Sequence, residues 1–140
     1  MFENSIISPI VNNPIILIAD DSEIVRNFVV KALSSEYTIL MAANGKDTID
    51  IIEANINNTI AWVLLDLNMP EMGGFSVLDY FKDNNLFRKI PVTIISGDNS
   101  EETVKRVYTY DVVEMLVKPL KIESIQIGIS KALNFVSQDR

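Results

Sequence analysis

Five short runs rich in isoleucine, valine and leucine recur along the chain, and their alternation with helical segments constrains the fold most. The runs lie at 15–19, 37–43, 61–65, 91–95 and 112–117. Such runs are typical of strands that are buried on both faces of a parallel sheet. The segments between and after them, at 22–35, 44–55, 74–85, 100–110 and 121–136, repeat their apolar residues at helical intervals. The alternation predicts a three-layer, doubly wound α/β fold with a five-stranded parallel sheet and five helices.

Apolar stripes predict the buried faces of the first and last helices. The stripe of the first helix comprises Ile24, Val25, Phe28, Val29 and Leu33. The stripe of the last helix comprises Ile122, Ile125, Ile129, Ala132, Leu133 and Val136. Gly128 lies inside the last helix, where it costs about 1 kcal/mol relative to alanine unless close packing requires a glycine.

Composition narrows the classes of function. The net charge of -7 disfavours direct binding to nucleic acid, since few cations are present to displace phosphate counterions. The chain has no cysteine and no histidine, so thiolate and imidazole chemistry are excluded and any chemistry must use carboxylates, hydroxyls, lysine or a bound ion. No apolar run approaches the roughly 20 residues of a membrane span, and Glu3 replaces the basic start of a signal peptide. We therefore expect a cytoplasmic protein that does not bind membranes.

The length of 140 residues and the hydrophobic content of 48% fit one domain with a substantial core. Residues 1–13 lie outside the alternating pattern and are expected to form a loose N-terminal arm. Residues 14–140 are expected to form the domain.

Polar side chains stand at the ends of four of the predicted strands. Asp20 and Asp21 follow the first strand, Asp66 follows the third, Ser96 the fourth and Lys118 the fifth. Because ligands of open parallel sheets bind beyond the carboxyl ends of the strands, these side chains are expected to converge. Each one alone is more often a turn former or a helix cap, and only their combination points to a site.

The stretch VLLDLNMPEMGG, residues 63–74, shows how one of these side chains is presented. A buried strand delivers Asp66 to the sheet edge, Pro70 prevents the strand from continuing, and the two glycines permit the turn into the next helix.

Three crowded carboxylates would repel one another unless a cation or bound protons neutralised them. Oxygen ligands without histidine or cysteine favour Mg²⁺ (or Mn²⁺). An aspartate beside such an ion can attack phosphorus to form an acyl phosphate, while a lysine and a hydroxyl hold the phosphoryl oxygens. Asp66, Lys118 and Ser96 would supply these three roles.

Four motifs, ILIADDS, VLLDLNMPEMGGF, PVTIISG and VKP, carry a resemblance to the receiver domains of two-component response regulators, similar to the chemotaxis regulator type. The resemblance covers about residues 14–136. It implies the strand order 2-1-3-4-5 and a phosphorylation switch. Asp66 would accept a phosphoryl group from a histidine of a sensor kinase or phosphotransfer protein, and the chain would catalyse only its own phosphorylation and dephosphorylation.

The resemblance also implies a ligand set for the metal. Asp21 and Asp66 would bind Mg²⁺ directly, Asp20 would act through water, and the backbone carbonyl of Asn68 would be a further ligand. The bond between Lys118 and Pro119 would be cis.

Further roles implied by the resemblance concern switching. Ser96 would move toward the phosphoryl group, with Lys118 beside it, and Asn68 and Asp98 would tune hydrolysis of the acyl phosphate. Met115 occupies a position that is usually aromatic in the family, three residues before the lysine. Either Met115 takes the part of that switch residue, or Tyr108 or Tyr110 does, or the signal leaves by another route.

The sequence does not identify the partner that would receive the signal from this domain, which is its output. By family analogy the fourth helix, fifth strand and fifth helix would face an effector domain, a separate partner or a second copy of the chain. Residues 95–119 are loosely similar to receivers attached to cyclic-dinucleotide or HD-type phosphodiesterase modules.

Three alternatives compete with the active receiver. A pseudo-receiver would use the fold for binding without phosphorylation. A haloacid-dehalogenase-type phosphatase is disfavoured because Asn68 stands where that family needs a second aspartate. A calcium loop is disfavoured because Met69 and Pro70 interrupt it and no closing glutamate follows.

Overall fold

The computed structural model describes residues 13–57 and 60–138. The strands are β1 (Ile15–Ala19), β2 (Thr38–Ala42), β3 (Ile60–Asp66), β4 (Val92–Ser96) and β5 (Glu114–Val117). The helices are α1 (Glu23–Leu33), α2 (Gly45–Ala54), α3 (Gly74–Asp83), α4 (Glu101–Val107) and α5 (Ile122–Gln138), and a single 3-10 turn (Ser34–Glu36) follows α1. The predicted N-terminal arm, 1–13, lies outside the described residues except for Asn13.

The strands form one parallel sheet in the order β2-β1-β3-β4-β5. The sheet confirms the predicted doubly wound fold and the strand order implied by the family resemblance. The chain winds from β1 out to β2 and then back across β1 to β3, so the direction of winding reverses between β1 and β3. The carboxyl ends of β1 and β3 are therefore neighbours at the point where ligands of such sheets bind.

Two apolar layers cover the sheet, one on each face. On one face α2, α3 and α4 bury side chains such as Ile52, Phe81 and Val107. On the other face α1 and α5 bury side chains such as Val29 and Ile125. Because both faces are covered, the central strand β3 is almost entirely buried and holds the residue at its end in a fixed place.

Side-chain caps fix the starts of two of the helices. The Oδ1 of Asn44 accepts a hydrogen bond of 2.7 Å from the backbone N–H of Asp47, which satisfies one free donor in the first turn of α2. At α4 the Ser100 hydroxyl accepts from the N–H of Thr103 at 3.3 Å. Each cap starts a helix directly after the loop that leaves a strand.

The predicted stripes of α1 and α5 are wider than the faces that these helices bury. Ile24 is 81% exposed, Ile122 is 49% exposed and Leu133 is 42% exposed, so the expectation that they lie in the core is wrong. The helices reach the sheet only through the centres of their stripes, where residues such as Val29 and Ile125 are fully buried. The side chain of Val136, also in the predicted stripe, lies outside the described part of the chain.

Gly128 allows α5 to pack directly on the only tryptophan. A Cβ at residue 128 would lie 2.9 Å from Cη2 and 2.9 Å from Cζ2 of Trp62. Trp62 is fully buried, and its indole N–H donates a 2.9 Å hydrogen bond to the Thr93 hydroxyl, so the ring cannot move aside cheaply. Close packing therefore explains the glycine inside the helix.

Gly128→Ala should lower the free energy of unfolding by about 1–3 kcal/mol, because overpacking against Trp62 outweighs the gain in helix propensity. Thermal and urea denaturation would measure the change. Gly97→Ala is the matched control, since a Cβ there meets no atom within 4 Å. Equal stability of the two variants would contradict the packing explanation.

Candidate functional site

The carboxyl edge of the sheet brings together the polar residues that the sequence places at strand ends. Asp20 directly follows β1, Asp66 ends β3, Ser96 ends β4 and Lys118 directly follows β5. Asp20 and Ser96 are fully buried and Asp66 is 3% exposed. Polar groups are rarely buried in this way without partners, so the contacts between them decide what the site can do.

Lys118 is the cation that links the two buried carboxylates. Its Nζ lies 2.8 Å from Oδ2 of Asp20 and 3.6 Å from Oδ2 of Asp66. The shorter contact is thus with Asp20 rather than with Asp66. The peptide bond that follows Lys118 is cis, as the family resemblance implies for Pro119.

The carboxylates of Asp20, Asp21 and Asp66 form a cluster with one ligand oxygen from each within 4.8 Å of the others. Asp21 is exposed, so the cluster is open to solvent on one side. Oδ2 of Asp20 is buried without a hydrogen bond of good geometry among the described residues, although it lies in charge contact with Lys118. Three clustered carboxylates that offer hard oxygen donors and are open to solvent on one side fit a small divalent cation such as Mg²⁺ or Mn²⁺.

Backbone groups orient the two buried carboxylates. The N–H of Ser22 donates to Oδ1 of Asp20 at 2.8 Å, and the N–H of Asn68 donates to Oδ1 of Asp66 at 3.3 Å. Arg26 of α1 donates from its guanidinium to the backbone carbonyl of Asp20 at 2.8 Å. These bonds leave the Oδ2 atoms of both aspartates facing Lys118.

The electrostatics of the cluster favour a proton or a cation. Burial and the neighbouring charge of Asp20 raise the pKa of Asp66 to about 6, although Lys118 opposes the rise. For Lys118, burial alone would lower the pKa, but its 2.8 Å contact with the Asp20 carboxylate and the charge of Asp66 outweigh burial and raise the pKa. The ammonium is therefore firmly charged, while one ammonium is too little to neutralise three carboxylates.

Two glycines let the loop between β3 and α3 fold back on the site. The N–H of Gly74 donates to the carbonyl of Leu67 at 2.9 Å, and a Cβ at Gly74 would lie 2.5 Å from the carbonyl oxygen of Asp66. The N–H of Gly45, at the start of α2, donates to the carbonyl of Met72 at 2.9 Å, and a Cβ there would overlap the same oxygen. The role of Gly45 was not predicted, and the Asn-Gly pair after β2 was the one available signal.

The same loop contains strained backbone. Glu71 has φ of 49° and Met72 has φ of 92°, which are unusual values for residues with side chains. The hydrogen bond from Gly45 lies at this strained point. The β2–α2 connection therefore helps to hold the loop that follows Asp66.

Ser96 is held by the loop that follows β4. Its hydroxyl accepts from the N–H of Asp98 at 2.9 Å and donates to the carbonyl of Asp98 at 3.2 Å. The Asp98 carboxylate accepts from the N–H of Ser100 at 2.9 Å and from the Thr103 hydroxyl at 2.7 Å, and these bonds lower its pKa. In this arrangement Ser96 is bonded to its own loop, and Asp98 fixes that loop to the start of α4.

Met115 lies in β5 with its side chain half-buried against the core under α3 and α4. Its N–H donates at 3.1 Å to the hydroxyl of Tyr108, which is exposed at the end of α4. Tyr110 instead donates to Asp79 of α3 at 2.6 Å. Of the two tyrosines weighed as alternatives to Met115, only Tyr108 is thus hydrogen-bonded to it.

The surface of α4, β5 and α5 combines apolar and charged side chains. Tyr108, Val117 and Ile127 are exposed there. Lys131 of α5 forms a 3.0 Å ion pair with Glu114 of β5. This surface is the one that family analogy assigns to the output.

The fold and the site together define a class of α/β protein in which carboxylates, a lysine and a serine meet at the carboxyl edge of a parallel sheet. The family model for the response regulator receiver domain matches residues 16–130. The chain therefore belongs to the family of response regulator receiver domains, as the motifs indicated. None of the described helices is long and apolar enough to cross a membrane.

Individual relatives agree with this assignment. The two-component response regulator ORR3 of rice (Oryza sativa) is 28% identical over 109 residues, which cover 77% of this chain and 82% of that protein. A probable cyclic di-GMP phosphodiesterase of Vibrio cholerae is 34% identical over 107 residues, which cover 76% of this chain but 24% of that protein. The receiver domain of a LuxO-like repressor protein from Vibrio parahaemolyticus has the same fold, with a TM-score of 0.81 at 22% identity over 91% of this chain and 95% of that one.

Proposed function

We propose that this receiver domain is a phosphorylation switch in which Asp66 accepts a phosphoryl group. The observation that carries the proposal is the buried cluster of Asp66, Asp20 and Lys118 beside the exposed Asp21. A carboxylate nucleophile, a cation for the phosphoryl oxygens and an opening to solvent are the parts that phosphoryl transfer to protein requires.

The donor proposed for this reaction is a phosphorylated histidine of a sensor kinase or phosphotransfer protein, since the chain itself has no histidine. An oxygen of the Asp66 carboxylate attacks phosphorus, the bond between phosphorus and the imidazole nitrogen breaks, and the imidazole takes up a proton. Lys118 is placed to bind an oxygen of the transferred group, because its Nζ already lies 3.6 Å from Asp66. No other catalytic activity is proposed for the chain.

The metal proposed for the site is Mg²⁺ (or Mn²⁺). When bound it would neutralise the carboxylate cluster and take up negative charge on the phosphoryl oxygens. Asp21 and Asp66 would hold it directly, with Asp20 acting through water and the carbonyl of Asn68 completing the protein ligands. Ionised Asp66 is the reactive form, and a nearby cation favours ionisation by lowering the raised pKa of this carboxyl.

Ser96 would bind another phosphoryl oxygen after it releases its present partners. Its two hydrogen bonds to the backbone of Asp98 must break for the hydroxyl to turn toward Asp66. That movement would loosen the β4–α4 loop and so reach Tyr108 at the far end of α4. We propose that the hydrogen bond between Tyr108 and Met115 carries the change to β5, in place of an aromatic residue at position 115.

The output partners are proposed from the surface of α4, β5 and α5 and from the relatives of this chain. The surface of α4, β5 and α5 would contact an effector domain, a separate target protein or a second copy of the chain. Attachment to a cyclic-dinucleotide phosphodiesterase is one such output, since the probable cyclic di-GMP phosphodiesterase of Vibrio cholerae matches over 76% of this chain. We further propose a cytoplasmic location, where the kinase partner would act.

Incubation with acetyl phosphate and Mg²⁺, followed by intact-mass measurement, tests the proposed function. One phosphoryl adduct per chain is expected, and chelation of the metal should abolish it. Asp66→Asn should remove the adduct, whereas Asp83→Asn, which changes an exposed aspartate at the end of α3, should retain it. Absence of the adduct in the unaltered protein would favour the pseudo-receiver.

A further inference from the structure

A cavity adjoins the acidic cluster at Lys118. It has a volume of about 450 Å³ and is lined by Ile24, Val25 and Phe28 of α1 and by Lys118, Pro119 and Leu120 after β5. Five of the six lining residues are apolar, and Lys118 is the single charged one. The volume falls in the range of pockets that bind small molecules.

A role in this cavity would account for the exposure of one isoleucine, Ile24. Ile24 is 81% exposed, the highest value among the large apolar side chains of the described residues that lie on the surface. It contributes nothing to the core, and its position at the start of α1 places it at the rim of the cavity. An apolar rim beside a lysine suits a ligand with an apolar part and an anionic part.

Lys118 fixes how such a ligand would lie. The lysine lines the apolar cavity, and its Nζ lies 3.6 Å from Oδ2 of Asp66, so one side chain borders both the cavity and the acidic cluster. A phosphoryl group held between Asp66 and Lys118 would leave the remainder of its donor next to the cavity. For a donor with a short hydrocarbon chain, that remainder would be buried among apolar side chains.

We propose that this cavity takes the acyl group of small acyl phosphates and gives Asp66 a preference for donors whose acyl chain is longer than acetyl. The inference rests on the proposed function and adds a substrate class to it. In the reaction an oxygen of the Asp66 carboxylate bonds to phosphorus while the bond from phosphorus to the acyl oxygen breaks. The carboxylate of the donor leaves with the bonding electron pair, so no oxidant or further reactant is needed.

The size of the preference follows from the hydrocarbon that is buried. Each fully buried methylene favours binding by about fourfold. Butyryl phosphate has two more methylenes than acetyl phosphate and a leaving carboxylate of similar basicity. In a cavity that is open to solvent, we expect its second-order rate constant to exceed that of acetyl phosphate by on the order of tenfold. The gain should appear as a lower half-saturating concentration with little change in the maximal rate.

The experiment compares acetyl phosphate and butyryl phosphate as donors in the presence of Mg²⁺, with intact mass as the readout. Ile24→Ser should reduce the ratio of the two rate constants to about threefold, since it removes apolar surface from the rim. Ile56→Ser is the matched control, because Ile56 is also an exposed isoleucine, at 56%, and lies outside the cavity. The control should keep the full ratio, and circular dichroism would establish that both variants are folded.

Each result decides one question. Equal rate constants for the two donors, or a preference that Ile24→Ser leaves unchanged, would overturn the cavity proposal while the proposed function stands. Phosphorylation by neither donor would overturn the proposed function itself. A tenfold preference that falls in Ile24→Ser but not in Ile56→Ser would support the proposal.

Discussion

Lys118→Met is expected to lower the free energy of unfolding by about 3 kcal/mol near neutral pH when divalent metals are chelated. The lysine is the cation between Asp20 and Asp66, and its removal leaves two buried carboxylates without an opposing charge. Methionine keeps much of the length and the apolar stem of lysine, so the loss reports charge more than packing. Urea denaturation followed by circular dichroism would measure it.

The same variant should respond more strongly to metal than the unaltered protein. A divalent cation in the cluster would replace part of the lost positive charge, so saturating Mg²⁺ should restore more stability to Lys118→Met. Lys121→Met is the matched control, because Lys121 is an exposed lysine nearby and a change there should cost little. A Lys118 variant as stable as this control would contradict the role of Lys118 as the stabilising cation.

Asp66→Asn is expected to stabilise the metal-free protein by on the order of 2 kcal/mol at pH 7 and by almost nothing at about pH 3. The pKa of Asp66 in the folded protein is about 6, above the ordinary value of 3.8. Between these values the folded protein binds more protons at this carboxyl than the unfolded chain does. The contribution of Asp66 to stability therefore falls as pH rises through this window, and above it the full cost of the buried charge remains.

Denaturation of the two proteins in chelating buffer across this pH range would measure the difference. Asn is close to the size of protonated Asp and cannot ionise, so the two proteins should have similar stability at the acidic end and diverge as pH rises. Asp83→Asn, at an exposed aspartate, should show no such divergence. A constant difference between Asp66→Asn and the unaltered protein would place the effect in packing instead of charge.

The fold could be predicted because its determinants are local. Strands that are buried on both faces, such as β3, have continuous apolar runs in the sequence, and the polar residue after each run marks the end of the strand. The convergence of Asp20, Asp66 and Ser96 then follows from parallel strand direction alone. The position of a side chain at a strand end needs no knowledge of distant packing.

Features that depend on the packing of several helices and strands could not be predicted from the sequence. Periodicity predicts that Ile24 lies on the buried stripe of α1, but in the structure its side chain is exposed and lines a cavity. The closer approach of Lys118 to Asp20 than to Asp66 depends on the path of the chain after β5. The contact of Gly45 with Met72 joins two loops that are distant in sequence.

The packing of Trp62 beneath Gly128 also makes the fluorescence of this tryptophan a probe of unfolding. The chain has one tryptophan, and its ring lies in the apolar layer under α5 with its indole N–H bonded to Thr93. Its emission should therefore shift to longer wavelength when α5 separates from the sheet and water reaches the ring. The unfolding of every variant described above can be followed through this natural fluorophore, whereas metal binding is better observed by NMR at the amides of Ser22 and Asn68.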